Sequence, residues 1–295
     1  MALAAYRREP EDRGVVEAWV ESGGDANGRW DAEDHGGPMN VNFLIGDPEM
    51  RGDPLLLMTV YGTTLDDRNE EAVERDCRDR LELIRYLLSR GANPSNATAD
   101  GTTPLHLLAE RPRGRFRFTA TNLLCDAGAN LEATEYDGET GHTPLALALV
   151  TYHHDNMDYL RLLLRRGASL DFPRCSYVRT GVARDTAEAT LRSQLLWFAS
   201  PDSIAVRPEY KARLAQSVEE KLRLVTAVRA AGSWKRYVRT PHIKLVVLRS
   251  LLARGRARRR PLWDQPTPHA LVRLFDPSLP NGVFWHALSY WRETG

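Results

Sequence analysis

Cysteine is scarce in this sequence, and long apolar runs are missing from it. Its three cysteines, Cys77, Cys125 and Cys175, are odd in number and far apart, which argues against a disulfide framework and predicts reduced thiols. No run of about 18 apolar residues exists, so we expect no membrane span. The segment from Met1 to Pro10 is too short and too quickly charged for a signal peptide. We therefore predict an intracellular protein, cytoplasmic or nuclear.

Motifs of the common enzyme classes are missing as well. The sequence has no G-x-x-x-x-G-K-[ST] phosphate loop, no H-E-x-x-H, no G-x-S-x-G and no dinucleotide fingerprint. His153, His154 and Asp155 could ligate a metal, but neighbouring side chains diverge and zinc ordinarily needs four ligands. We read these three residues as a solvated insertion. The prediction is therefore a protein that is not an enzyme, with no catalytic residue, cofactor or metal site.

The most informative stretch that is present runs from Asp100 to Ala109 and predicts a turn followed at once by a helix. Asp100 and Gly101 form a tight-turn pair, since glycine accepts a positive φ at little cost. Thr103 is placed to cap the helix N-terminus, and Pro104 fits its first turn, where a missing N–H does no harm. The residues that recur at helical spacing and mark a buried stripe are Leu105, Leu108 and Ala109.

Two signatures interleave along the chain. The turn-helix signature of Thr103 returns at Thr143, Pro144 and Leu145, and a weaker copy spans residues 52–57. The second signature closes a helix with apolar residues and then places a glycine at the left-handed position after the helix. Its glycines are Gly91, Gly128 and Gly167, with a degenerate copy at residues 20–27. Unrelated helical hairpins are the competing interpretation of this pattern.

The first signature resembles the D-G-x-T-P-L-H-x-x-A motif of the ankyrin-repeat family. The resemblance implies an all-α solenoid of helix-turn-helix units joined by turn or hairpin fingers. It gives His106 a structural role, hydrogen-bonded to Thr103 and to neighbouring turns. Within such a stack we expect eight leucines to be largely buried: Leu105, Leu108, Leu123, Leu124, Leu145, Leu147, Leu162 and Leu163.

In the ankyrin family, partner proteins contact the residues between each Gly-Ala pair and the next Thr-Pro pair. The resemblance therefore implies a protein-binding scaffold with these contact residues: Asn96, Thr98, Asp100, Glu132, Glu135, Tyr136 and Asp137. Tyr136 is the best anchor, because aromatic residues dominate binding hot spots. The acidic second finger predicts a basic partner. The alternative is that all seven are merely solvated turn residues.

Charge and composition predict two domains. Hydrophobic residues make up 42% of the chain, enough for a core. We assign residues 1–200 to about four to five repeats, the first and last degenerate, with large insertions near 28–50 and 62–79. Residues 201–295 form a basic module. From Arg207 onward there are 18 Lys and Arg against 6 Asp and Glu, so the remainder of the chain is net negative.

Within the basic module we predict two long helices, Arg207 to Ala231 and Ile243 to Leu252, which pack onto the end of the stack. Terminal repeats need such a cap. Shorter helices are predicted at 271–275 and 283–291. The segment from Ala231 to Trp291 also resembles a module that follows ankyrin repeats in proteins of marine unicellular algae.

Two alternative functions for the module stay open. Residues 279–291 loosely resemble the opening of an F-box, which would make the chain a substrate-recognition adaptor of a ubiquitin ligase. The arginine-rich run from Arg254 to Arg260 could bind nucleic acid or direct the chain to the nucleus. The favoured prediction is a monomer with a protein partner, without a membrane and without nucleic acid.

Overall fold

The computed structural model describes residues 11–28, 54–61, 70–110, 114–136, 141–151, 156–173, 184–200 and 208–256. Near the C-terminus it also describes residues 273–276, 278–280, 282–284 and 286. The chain divides into two compact units, Met1–Val225 and Thr226–Gly295. The predicted insertion near 28–50, apart from residue 28, lies outside the described residues, as does the predicted solvated insertion at residues 153–155.

The described residues are mainly helical. In chain order the helices are α1 (Glu11–Glu21), α2 (Leu55–Tyr61), α3 (Glu70–Ser89), α4 (Pro104–Glu110), α5 (Gly114–Asp126), α6 (Pro144–Val150), α7 (Asn156–Arg166), α8 (Ala187–Ala199), α9 (Pro208–Ala231) and α10 (Trp234–Ala253). The strands are β1 (Glu135–Tyr136), β2 (Gly141–His142), β3 (Asp171–Pro173) and β4 (Arg184–Thr186).

The helices of the first unit pack in two columns. A short inner helix pairs with a longer outer helix in α2–α3, α4–α5 and α6–α7, and α8 continues the inner column beside α6. The outer column runs from α1 through α3 and α5 to α7. The strands form only two small antiparallel hairpins, in which Glu135 faces His142 and Phe172 faces Asp185. The predicted all-α solenoid with hairpin fingers is confirmed.

Both predicted helix boundaries follow from local chemistry. Thr143 is extended, at φ −87° and ψ 160°, and its hydroxyl oxygen accepts a 3.2 Å hydrogen bond from the Ala146 amide at the start of α6. At the other end of the outer helices, Gly91, Gly128 and Gly167 have φ of +88°, +90° and +104°. That left-handed conformation lets the next amide bond back into the helix, as in the 2.9 Å contact from Ala129 to the Leu124 carbonyl.

The buried stripe agrees with the leucine prediction. Leu105, Leu108, Leu124, Leu145, Leu147 and Leu163 are buried. Leu123 and Leu162 are of intermediate burial, more exposed than the other six but not solvent-exposed. Each precedes a fully buried leucine in an outer helix, and one residue turns the side chain by about 100°. The side chains of Leu123 and Leu162 therefore point to the margin of the helix face that packs on the inner column.

The insertion predicted within 62–79 is partly helix. Helix α3 begins at Glu70 and runs for 20 residues, so the extra residues extend the outer helix over at least half of this segment. Residues 62–69 lie outside the description. The described part of this insertion is therefore a longer outer helix and not a surface loop.

Helix α9 follows the register of the outer helices, although the repeat signature is faint there. Gly232 ends it with φ +79°. The residues eight, seven and four positions before the closing glycine are buried in every outer helix from α3 onward. These residues are Leu83, Ile84 and Leu87 in α3, Ala120, Thr121 and Leu124 in α5, Tyr159, Leu160 and Leu163 in α7, and Leu224, Val225 and Val228 in α9. Helix α9 thus has the same buried positions, counted from its closing glycine, as the outer helices of the repeats.

The second unit is built around α10, which begins nine residues before the predicted start. Ser233 caps its N-terminus by accepting a 3.2 Å hydrogen bond from the Arg236 amide. Near the C-terminal end of α10, the Arg249 guanidinium lies over the Phe284 ring, 4.5 Å from its centroid, and donates to the Leu279 carbonyl. Of the two predicted short helices, the description contains single turns at 273–274 and 282–284.

Candidate binding surface

His106 joins one repeat to the next. Its Nδ1 accepts from the Thr103 amide at 3.1 Å and lies 2.7 Å from the Thr103 hydroxyl, so Nε2 carries the proton and donates to the His142 carbonyl at 2.8 Å. Burial lowers the pKa of His106 to about 4, which keeps the ring neutral near pH 7. The structural role predicted for His106 is therefore what the geometry shows.

The first finger, residues 92–103, is a tight turn held by its own threonines. The Thr98 amide donates to the Thr102 carbonyl at 3.0 Å, and the Thr102 amide donates to the Thr98 hydroxyl at 2.9 Å. Gly101 has φ +91°, and a Cβ there would lie 2.6 Å from the Thr134 carbonyl oxygen. Only glycine lets this turn approach the second finger, residues 129–143, so closely.

Two carboxylates of neighbouring fingers meet at one hydroxyl. The Thr102 hydroxyl lies 3.0 Å from an Asp100 carboxylate oxygen and 3.1 Å from a Glu135 carboxylate oxygen. Partial burial acts to raise the pKa of Asp100, but hydrogen bonds from Thr98, Thr102 and the turn backbone outweigh it and lower that pKa. Asp100 is therefore ionised at neutral pH, and the sequence prediction did not include Thr102.

A different set of polar side chains links successive repeats. The Asn27 side-chain oxygen accepts from the Asn93 amide at 2.6 Å, and the Ser95 hydroxyl accepts from the Asn130 amide at 2.7 Å. Glu132 continues the series, since its carboxylate accepts from the amide of Ser169 at 2.7 Å. Three consecutive junctions between repeats thus contain the same type of hydrogen bond, from a backbone amide to a side-chain oxygen of the preceding repeat.

The predicted contact residues differ in the hydrogen bonds that they make within the protein. Glu132 holds the third junction, and the Asn96 side-chain amide donates to the Asn27 carbonyl at 3.3 Å. Thr98 donates to Asp100 within its own turn. The backbone of Tyr136 lies in β1, whereas its side chain and Asp137 are outside the described residues. The structure thus places Asp100 and Glu135 together, and uses Asn96 and Glu132 between repeats.

Two buried cations donate hydrogen bonds to carbonyl groups at the C-terminal ends of inner helices. Arg117 donates to the Ala109 carbonyl near the end of α4 at 2.9 Å, and its guanidinium lies 3.5 Å from the centroid of the Tyr159 ring. Lys221 of α9 is fully buried and donates to the carbonyls of Ala148, Leu149 and Thr151 at 3.2, 3.0 and 2.9 Å. Burial, with a smaller contribution from the charge of Arg117, lowers the pKa of Lys221 to about 7.

Sequence reasoning missed these cations, although a signal exists. Arg117 and Lys221 each lie eleven residues before the closing glycine of their helix, as does the buried Arg80 in α3. Position 156 of α7, at the same distance from Gly167, is asparagine. Helix α9 therefore supplies a cation to the end of α6. The outer helix that pairs with α6 is α7, and it has no cation eleven residues before its closing glycine.

The remaining predictions of chemistry concern groups that the description only partly covers. Within the described ranges no three His, Cys, Asp or Glu side chains come together as a metal site would require. Over the same ranges, none of the helices is both long and apolar enough to cross a bilayer. Cys77 and Cys125 are half-buried reduced thiols, and burial raises the pKa of Cys125. Cys175 lies outside the description.

Comparison with known proteins agrees with this geometry. A family model for ankyrin repeats, in three copies, matches residues 71–173. Residues 71–173 are ankyrin repeats. A protein described as an ankyrin repeat protein of Rickettsia bellii (strain RML369-C) is 30% identical to this chain over 133 residues. That match covers 44% of this chain and 35% of the relative, so the chain spans about a third of the relative's length.

The predicted ankyrin repeats are thus confirmed over residues 71–173, and ankyrin repeats are generally non-catalytic modules that bind other proteins. The resemblance of the tail to an algal module stays a prediction, as does the domain boundary at residue 200. The F-box-like segment is described only at Leu279, Pro280, Gly282, Val283, Phe284 and His286, and the arginine-rich run only as far as Arg256.

Proposed function

We propose that the chain is a non-catalytic scaffold whose ankyrin fingers bind a basic segment of a partner protein. The observation that carries this proposal is the approach of Asp100 and Glu135 to the single hydroxyl of Thr102. Two carboxylates within reach of one hydroxyl concentrate negative charge where two fingers meet. A lysine or arginine of a partner would gain from both carboxylates at once.

The other predicted contact residues have different roles in this proposal. Asn96 and Glu132 already hold adjacent repeats, so we assign them to the shape of the surface more than to its affinity. Tyr136 directly follows Glu135 in β1 and supplies the aromatic anchor of the proposal. Thr98 orders the turn that presents Asp100. Asp137 extends the same acidic finger in sequence.

The test compares two variants that lose the same charge. One carries Asp100→Asn with Glu135→Gln in the fingers, and the control carries Glu219→Gln with Glu220→Gln on the exposed side of α9. The wild-type chain captures partners from a cell lysate, and the captured protein is then purified and titrated by calorimetry at low and high salt. We expect the finger variant to bind the partner about fivefold more weakly than the wild type, with a smaller dependence of affinity on salt. The control should bind with the affinity of the wild type.

Circular dichroism and thermal melting first establish that both variants fold as the wild type does. Equal affinity of all three proteins for the partner would contradict the finger assignment. A loss of binding confined to the α9 control would place the interface elsewhere. A Tyr136→Ala variant that binds like the wild type would remove the aromatic anchor from the proposal.

A further inference from the structure

Helix α10 carries a second surface whose chemistry is opposite to that of the fingers. From Lys221 to Trp263 the sequence contains thirteen Lys and Arg and no Asp or Glu. Helix α10 occupies the middle of this stretch. Four of its cations, Lys235, Arg236, Arg239 and Lys244, are exposed, and they form no ion pair with a carboxylate of the described residues.

The same side of α10 also exposes large aliphatic side chains. Ile243 is 58% exposed, Val247 51% and Leu248 40%. Ile243 and Val247 are four residues apart and therefore lie one above the other on the helix. An exposed apolar surface that is rimmed by polar or charged residues is typical of a site that binds another protein.

The opposite side of α10 is already occupied. Arg249 is buried, lies over Phe284 and donates to the carbonyls of Asp276 and Leu279. At 3.6 residues per turn, Val247 points about 160° away from Arg249. The contacts that hold the end of the second unit to α10 therefore leave the Ile243 side uncovered.

We propose that this face of α10, made of Arg236, Arg239, Ile243, Lys244 and Val247, docks an acidic amphipathic helix of a partner protein. Leucine-type side chains of the partner would cover Ile243 and Val247, and its flanking carboxylates would pair with the four exposed cations. This surface shares no residue with the fingers, and the proposal does not depend on the function proposed for them.

The arrangement of the face separates this partner from two other anionic ones. A helix that lies in a membrane interface keeps its cations on the side opposite its apolar residues. Here Lys244 lies between Val247 and Leu248 around the helix, so charge and apolar groups alternate. Nucleic acid would pair with the cations but leave the aliphatic groups in water, and the aromatic rings of Trp234 and Tyr237 pack on each other at 5.5 Å.

The experiment uses the full chain and a labelled acidic amphipathic peptide of leucine and glutamate, followed by fluorescence anisotropy. The variant is Ile243→Ser with Val247→Ser, and the matched control is Leu196→Ser, which alters a 72% exposed leucine of α8. We expect the wild type and the control to bind the peptide and the double variant to bind about tenfold more weakly. A peptide with glutamine in place of glutamate should bind weakly to all three.

Competing occupants give different results in the same assay. Tighter binding to phosphatidylserine vesicles or to random duplex DNA than to the peptide would overturn the proposal. So would peptide binding that the double variant retains, or light scattering that shows a dimer of the wild type and a monomer of the double variant. Both substitutions replace exposed side chains, so an unchanged circular dichroism spectrum is expected and is checked first.

Discussion

The ammonium group of Lys221 lies 2.9 Å from the carbonyl oxygen of Thr151, seventy residues earlier in the chain. Two further carbonyls, of Ala148 and Leu149, accept from the same group. The last carbonyls of a helix have no partner inside it and carry a partial negative charge. A cation from α9, beyond the stretch that matches the family, therefore completes an inner helix of the ankyrin repeats.

The first prediction concerns that cation. Lys221→Met keeps most of the side-chain volume but removes three hydrogen bonds, so we expect the free energy of unfolding to fall by about 1–3 kcal/mol. Lys211→Met in the same helix is the control, because Lys211 has no hydrogen bond in the described part of the chain, and it should change stability by less than about 0.5 kcal/mol. Urea unfolding measures both. Equal effects would show that Lys221 contributes nothing beyond its packing.

The second prediction concerns where the repeat unit ends. Because α9 follows the outer-helix register and bonds to α6, a chain truncated after Ser200 should melt at a lower temperature than one truncated after Ser233. The shorter chain also lacks the helix whose Lys221 binds the end of α6, and a repeat stack without its terminal cap tends to aggregate, so we expect it to aggregate more readily. Scanning calorimetry and light scattering compare the two. If both truncations melt alike, α9 is not part of the stack.

The third prediction concerns the contact between fingers. Gly101→Ala and Gly128→Ala both force an alanine into a left-handed conformation, at φ +91° and +90°, which costs about 1–2 kcal/mol. Only at Gly101 would the new Cβ also meet the Thr134 carbonyl oxygen at 2.6 Å, whereas nothing lies within 4 Å at Gly128. Gly101→Ala should therefore lower the urea midpoint more than Gly128→Ala. If Gly128→Ala lowered the urea midpoint more than Gly101→Ala, the close contact between the two fingers would not be the main source of destabilisation.

The fourth prediction concerns acid. The pKa of His106 falls from 6.5 in the unfolded chain to about 4 in the folded one. Between these values the unfolded chain binds the proton and the folded chain does not, so stability is complete above pH 6.5 and is lost as the pH falls towards 4. From pH 7.5 to pH 5 the loss should be about 2 kcal/mol.

A His106→Asn variant isolates this contribution, because it removes the imidazole and no other ionisable group. Its urea midpoint should change less between pH 7.5 and pH 5 than the wild-type midpoint does. An identical pH dependence in the two proteins would assign the acid sensitivity to other groups.

Much of the repeat architecture could be predicted because its signals are local. Thr143 and Pro144 start a helix, and Gly128 ends one, through contacts with residues at most five positions away. Their recurrence then indicates a stack. The sequence could not show that Leu123 is less buried than Leu124. Adjacent leucines point about 100° apart, and only packing decides which of them faces the neighbouring helix.

The binding surface was less predictable. The sequence indicated the fingers, and it indicated Asp100 and Glu135 within them. It could not show that Thr102 would bring the two carboxylates together, since they are 35 residues apart and meet only when neighbouring repeats stack. Nor could it show that Glu132 would accept from the Ser169 amide, because any exposed turn glutamate has the same local pattern.

By itself the sequence determined the helix boundaries that carry the repeat signatures, the repeat period and the lopsided charge, because turn chemistry, capping and hydrophobic periodicity act within a few residues. Only the tertiary structure decided which polar groups are buried and what they bind. Arg117 and Lys221 look like surface cations in the sequence, yet both are buried against helix ends. A cation can leave water only where several carbonyl oxygens or an aromatic face replace its hydration. Packing brings those partners to Lys221 from about 70 residues away in the chain.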